Sequence, residues 1–227
     1  RNGRDTYFPA QVLGEVMTGI TLGVVESSRD PSLAPGDYVN GLGGCQEWSI
    51  APVGHLQKLQ PRSGVPLAAY RSVLDVQGLT AYCGLTEIGK PRAGETLVVS
   101  VAAGCFVSLV CQFVKKRCRK VVGIAVGADK CAWLRDECGI ENVIDYKHED
   151  VAARLDALCP EGIDIAYENV GGPVMDMLIE RLRHKGRVVL CGLVSSYNGG
   201  VTQNTASLMQ LVNKAARMEG FLVSEYL

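Results

Sequence analysis

The residues best suited to chemistry lie where short side chains interrupt apolar runs. A β-branched run over 97–101 gives way to Ala102-Ala103-Gly104, after which Ser108, Leu109, Val110, Gln112 and Phe113 read as the start of a helix. A strand, a tight small-residue turn and a helix, in that order, seat a pyrophosphate on the helix N-terminus. A second β-branched run, Lys120–Ala125, follows at the spacing of a βαβ crossover. It ends in Val126-Gly127, with no acid at its tip. Sites for a free ribose 2′-hydroxyl place an Asp or Glu there.

Other chemistries find less support. Ser100 and Ser108 have no histidine in sequence context to activate them, which argues against a hydrolase. His148-Glu149-Asp150 resembles a catalytic cluster, but acids at a helix N-terminus account for it. The nine cysteines stand at 45, 83, 105, 111, 118, 131, 138, 159 and 191, with no CxxC pair, and no histidine joins one at ligand spacing. They read as free thiols in a reducing, cytoplasmic compartment, and no metal site is expected. A net charge of −1 argues against a nucleic-acid partner, and no apolar run reaches the length of a membrane span. The basic cluster 115–120 sits at a helix C-terminus, where cations favour the dipole.

These residues need a scaffold. Residues 1–61 combine Gly-rich turns at Asp30-Pro31, Pro35-Gly36-Asp37 and Gly43-Gly44 with short β-branched runs, the pattern of a small all-β unit. Two or three short strands bury too little to stand alone, so this segment is expected to be part of a barrel. The polar turn 60–66 marks the boundary, with a second domain over 62–227. There strands are expected at 97–101, 120–125, 142–145, 163–167, 187–191 and 218–223. Helices are expected at 106–117, 129–138, 149–158 and 173–183. Alternation of this kind predicts a parallel sheet covered on both faces, an α/β doubly wound fold.

Ordered motifs then carry a family resemblance. GEVM at 14–17, GDYV at 36–39, GLTAY at 78–82, AGET at 93–96, DKC at 129–131, IDYK at 144–147, ENVGG at 168–172, VVLCG at 188–192 and SSYN at 195–198 occur in sequence order. Together they resemble the zinc-independent medium-chain dehydrogenase/reductases of the NADPH-dependent double-bond reductase group, over essentially the whole chain. The resemblance implies a Rossmann-type domain preceded by a partial GroES-like β-barrel domain. The family's opening barrel strands and closing segment have no counterpart, so a chain truncated at both ends is expected.

The resemblance also implies roles. Gly104, Cys105, Phe106, Val107 and Ser108 would form the pyrophosphate turn of an NADPH site. Lys130 and Tyr146 match the family residues on either side of the 2′-phosphate, and Asn169 lies where the cofactor passes the sheet edge. Cys191, Gly192, Leu193, Phe221, Leu222 and Val223 would complete the cofactor site. Tyr197 matches the tyrosine beside the nicotinamide ribose and the substrate carbonyl. A phenol titrates at ~10, so hydrogen-bond donation to the growing oxyanion is its expected role.

Two positions depart from the family. Val107 and Cys111 stand where it places Gly, on one helix face. Each added side chain costs ~1–3 kcal/mol if the backbone cannot shift. The implied activity is NADPH-dependent reduction of the C=C bond of an α,β-unsaturated aldehyde or ketone, with a homodimer through the nucleotide domain possible. A quinone reductase of the same superfamily, and a degenerate member without turnover, are the alternatives.

Overall fold

The computed structural model describes residues 11–115, 117–197 and 205–226. Residues 1–10 of the expected barrel segment, Lys116 of the basic cluster and Asn198 of the 195–198 motif lie outside the described residues. By contacts the chain divides into two compact units, Arg1–Asp75 and Val76–Leu227. The division falls beyond the polar turn at 60–66. Residues 62–75 are tied to the first unit, where Asn40 Nδ2 donates to Tyr70 O (3.1 Å) and Arg62 N donates to Tyr70 Oη (2.8 Å).

The first unit is a three-stranded antiparallel sheet. Strands β1 (Thr21–Val24), β2 (Tyr38–Gly41) and β3 (Leu56–Lys58) lie in the order β1-β2-β3. A turn with Gly36 at φ +90° feeds β2, and Asp37 pairs with Lys58 at 2.5 Å. Leu33 and Val39 are its buried apolar side chains, whereas Val12, Leu13, Trp48 and Ile50 are exposed. Its own core is small, because among the described residues three short strands have no α-helix to cover them.

The second unit opens with α1 (Val76–Cys83), which passes into a π-helical turn, Gly84–Gly89. Five β-α alternations follow: β4 (Thr96–Val99), α2 (Val107–Val114), β5 (Lys120–Ala125), α3 (Ala128–Asp136), β6 (Asn142–Asp145), α4 (Val151–Leu158), β7 (Ile163–Glu168), α5 (Gly172–Glu180), β8 (Leu182–Leu190), α6 (Thr205–Asn213) and finally β9 (Arg217–Gly220). All neighbouring strands pair in parallel, in the order β6-β5-β4-β7-β8-β9. The sheet grows outward from β4 in one direction and from β7 in the other, the order of a Rossmann-type doubly wound fold.

Side-chain alternation places the core. Leu97 and Val99 face a layer with Val110, Val114 and Leu134, whereas Val98 faces the opposite layer with Leu155, Leu178 and Ile179. Every residue of β4 is buried, as expected for a parallel strand covered on both faces. Asp150 caps α4, its Oδ1 accepting from Ala153 N at 3.1 Å, which accounts for the acidic 148–150 cluster.

Element ends differ from expectation where local bonding intervenes. Strand β4 stops at Val99 because the chain turns at Val101, whose φ is +54°. Helix α2 stops at Val114, whose carbonyl takes both Arg117 N (2.8 Å) and Cys118 N (3.0 Å) in a closing turn. Helix α5 ends at Glu180, and β8 starts at Leu182, which pairs with Ile163. Helix α6 is an additional crossover between β8 and β9.

At the start of the π-helical turn, a Cβ on Gly84 would lie 2.8 Å from Tyr167 Cζ and 2.8 Å from Phe221 Cζ. Only hydrogen fits in that gap. Gly84→Ala is expected to lower unfolding free energy by about 1–3 kcal/mol, read from urea midpoints at unchanged slope. Combining it with Tyr167→Phe, which removes the hydroxyl bonded to Thr80 O, recovers part of the loss.

Candidate functional site

At the C-terminal ends of β4, β5 and β7 lies a cleft of ≈250 Å³. The sheet order reverses between β4 and β7, and in open α/β sheets ligands bind in the crevice at that point. Val101 and Gly104 line it from the β4–α2 turn, Val126 from the β5–α3 connection, Lys130 from the first turn of α3, Tyr146 from the end of β6 and Ser195 from beyond β8.

The β4–α2 turn is closed by its own backbone. Gly104 N donates to Val101 O at 2.8 Å and Ser108 N to Gly104 O at 3.0 Å, while Ala102 N reaches across to Ile124 O at 2.8 Å. No side chain caps α2. A Cβ at Gly104 would stand 3.2 Å from Val101 O, so the turn is tight because residue 104 is glycine.

Val107 and Cys111 are 3% and 0% exposed, in the core between α2 and the sheet. Burial pushes the Cys111 thiol up to about 12. Neither side chain lines the cleft. In a dinucleotide turn the third small residue serves helix–strand packing, and here a larger residue fills that layer. At the turn the cleft is lined by Ser100, Val101, Ala103 and Gly104, small or apolar residues with no acid among them, and these fit a dinucleotide's pyrophosphate. Ser108 is buried, Phe106 packs partly against the same core, and Cys105 is exposed.

On the second side, Asp145 binds the ends of β5 and β6 together. Its Oδ1 accepts from Gly127 N (3.0 Å) and Lys147 N (3.1 Å), and its Oδ2 meets His148 Nδ1 (2.8 Å). Tyr146 N donates to Ala125 O at 2.9 Å, completing the splice. The His148 ring and the Gly127 N–H hold the Asp145 carboxyl down at about 2. Both its oxygens are engaged within the protein, so it does not replace the acid missing from the tip of β5. Lys130, exposed in the first turn of α3, has no carboxylate partner among the described residues.

The third side hangs on Glu168, whose role the sequence analysis missed. Its side chain is fully buried at the end of β7, with Oε1 accepting from Val170 N and Gly171 N, both at 2.6 Å. Burial raises its carboxyl above the ordinary range, against the lowering effect of the loop N–H groups and Ser100. Asn169 N donates to Ser100 Oγ (2.8 Å) and Asn169 Nδ2 to Ser100 O (3.1 Å). The segment after β8 is held in turn, with Val194 N on Asn169 O (2.9 Å) and Ser195 N on Val170 O (3.0 Å). Its only sequence signal was an acid at a strand end before Asn-Val-Gly-Gly.

The structure places the other expected site residues in different surroundings. Gly104, Lys130 and Tyr146 line the cleft. Asn169, Gly192 and Tyr197 are near one another, since a Cβ on Gly192 would lie 3.4 Å from Asn169 O and 3.5 Å from Tyr197 Oη. Leu193 packs under Gly171, and Cys191 faces the α2-side core. Phe221 packs with that core, Leu222 is exposed and Val223 begins a short helical turn, none of them lining the cleft.

Comparison with known proteins agrees with this geometry. The zinc-binding dehydrogenase family matches residues 108–226, and the N-terminal domain of oxidoreductase matches residues 1–59. The chain belongs to the zinc-binding dehydrogenase family. Within it, the chain falls in the double-bond reductase group of the medium-chain enzymes, and its small antiparallel sheet corresponds to a partial GroES-like domain. The 2-alkenal reductase (NADP(+)-dependent) of Nicotiana tabacum is 39% identical, over 100% of this chain and 66% of that protein. The NADPH-dependent curcumin reductase of Escherichia coli is 38% identical, over 97% of this chain and 65% of that one. The crystal structure of CurA in complex with NADPH, from Vibrio vulnificus, superposes with a TM-score of 0.85 at 37% identity, covering 96% and 66% of the two chains. The chain spans about two thirds of the length of these relatives.

Despite the family's name, no three His, Cys, Asp or Glu side chains cluster as a metal set among the described residues. The nine cysteines are all free, and the described residues offer no set that fits a zinc ion. Among the described residues no helix is long and apolar enough to cross a membrane.

Asp145 gives this zinc-binding dehydrogenase relative a pH dependence of known sign. A carboxyl with a depressed folded-state pKa contributes stability above its unfolded value of ~4, and the contribution disappears as pH falls towards about 2. The urea midpoint is expected to drop through that window. Asp145→Asn should flatten the drop and lower the midpoint at neutral pH; an unchanged acid profile in the variant would contradict the assignment.

Proposed function

We propose that the chain binds NADPH in this cleft and serves reduction of the C=C bond of an α,β-unsaturated aldehyde or ketone, with hydride arriving at the β-carbon. The observation that carries the cofactor choice is Lys130. It lines the same cleft as the Gly104 turn without a carboxylate partner, while the nearest strand-end acid, Asp145, is occupied by Gly127, Lys147 and His148. Asp129 neighbours Lys130 in the first turn of α3 but forms no ion pair with it among the described residues, and a cation left unpaired favours a 2′-phosphate over a 2′-hydroxyl. The printed names of the relatives support the reaction: a 2-alkenal reductase, a curcumin reductase and, at 35% identity, the (+)-pulegone reductase of Mentha piperita.

When bound, NADPH supplies the hydride; the protein supplies position and electrostatics. The Gly104 turn receives the pyrophosphate, and Lys130 and Tyr146 flank the 2′-phosphate. Asn169 and the 191–193 segment border the nicotinamide half. Tyr197, half exposed beside Gly192, donates a hydrogen bond to the carbonyl oxygen as negative charge grows on it. Residues 1–75 are assigned to the substrate domain and 76–227 to the nucleotide domain. The free cysteines fit a reducing, cytoplasmic setting.

The test is a titration of the chain with NADPH, followed by cofactor fluorescence. Saturable binding is expected, with Lys130→Ala weakening NADPH about 10–100-fold and leaving NADH nearly unchanged, the scale of a lost charge-assisted hydrogen bond. A folded chain that binds neither nucleotide, or one indifferent to Lys130→Ala, contradicts the proposal.

A further inference from the structure

Val170, Val174, Val194 and Ser195, which form one wall of the cleft, lie outside the strands. Beyond the ends of β7 and β8 the backbone leaves the ladder, and its polar groups need other partners. Glu168 supplies several. Its Oε1 takes the N–H groups of Val170 and Gly171, each at 2.6 Å, and its backbone oxygen takes those of Cys191 (2.9 Å) and Gly192 (3.3 Å). The loop so held presents its own oxygens to the next segment. Val194 N bonds to Asn169 O at 2.9 Å, and both Ser195 N (3.0 Å) and Ser195 Oγ (2.5 Å) bond to Val170 O.

The loop conformation depends on these bonds. The N–H groups of Val170 and Gly171 converge on one carboxyl oxygen, and the chain then turns through Gly171 and Gly172 at φ of +79° and +56°, which favour glycine. One carboxyl oxygen of a fully buried side chain receives two of them, and its Oε2 has no hydrogen-bond partner among the described residues. Burying a carboxyl in this way is costly, and its raised proton affinity shows that cost. A buried group that accepts two loop amides and underlies a ligand cleft acts through that loop.

We propose that Glu168 is a positioning residue for the dinucleotide, fixing the 169–172 loop and the 191–195 segment as the wall against which the nicotinamide half lies. The inference rests on reading the cleft as an NADPH site. It concerns only the wall beyond β7 and β8; Lys130 and Tyr146, on the β5 and β6 side, do not depend on it.

That separation defines the experiment. NADPH and adenosine 2′,5′-bisphosphate, which carries only the 2′-phosphate end, are titrated against the unmodified chain, Glu168→Gln and Glu168→Ala. Amide hydrogen exchange at Val170 and Gly171 is followed in all three. Gln keeps an oxygen in the Oε1 place and is expected to match the unmodified chain. Ala is expected to speed exchange at both amides and weaken NADPH by about tenfold or more, with adenosine 2′,5′-bisphosphate within about twofold. If Ala does not fold, Glu168→Met, similar in length but without an acceptor, carries the same expectation. Slow Val170 and Gly171 exchange in the unmodified chain tests the loop's bonds without a variant.

Unchanged NADPH affinity in a folded Ala or Met variant overturns the proposal. Equal weakening of both ligands also overturns it, since Glu168 would then hold the domain and not the wall. Failure of the unmodified chain to bind either ligand overturns the cofactor reading; exchange at Val170 and Gly171 still decides whether the carboxyl holds the loop.

Discussion

A parallel sheet satisfies its backbone only as far as its strands run, and the cleft begins where that pairing stops. Every segment that lines it must find hydrogen bonds outside the ladder. Two carboxyl groups meet much of this need. Asp145 binds Gly127 N and Lys147 N on the β5–β6 side, and Glu168 binds Val170 N and Gly171 N on the β7–β8 side. Both accept pairs of loop amides, but in different surroundings. Asp145 has His148 beside it and titrates low, whereas Glu168 is fully buried and its carboxyl is raised. Hydrogen bonds to the charged form prevail at one site and desolvation at the other.

The turn between the two, after β4, relies on small size. Gly104 sits against Val101 O, and Ala102 is fully buried where a Cβ on Gly123 would approach within 2.9 Å. Large residues are absent where chains approach and present one layer away. Val107 and Cys111 show the distinction, because they occupy the helix–sheet layer with Val110 and Val114 and stay clear of the cleft. An overpacking cost there falls on the helix–sheet layer, away from the residues that line the cleft.

Much of this architecture was legible in the sequence. Alternating β-branched runs and helical spacing define the parallel sheet, because burial on both faces demands near-continuous apolar strands such as 97–99. Lys130 and Tyr146 could be placed by motif, and the structure brings both to the cleft that Gly104 lines. Phe221 could not be placed in this way. It packs beside Gly84 and Tyr167 on the α1 side, a contact between residues far apart in sequence that no local pattern encodes. Glu168 was hidden for a related reason. A strand-end acid ordinarily reads as solvated, and its burial follows from the fold of the loop after it. The 75/76 division is a further case, since the Asn40–Tyr70 hydrogen bond joins, within the first unit, segments that composition separates.

Chemical-shift mapping of the chain with NADPH would show whether these strand ends form one dinucleotide site. Saturable shifts are expected on all three sides of the cleft: at Gly104 and its turn, at Gly127, Lys130 and Tyr146, and at 169–172 with 192–195. Shifts confined to the small antiparallel sheet, or none from a folded chain, would contradict that site.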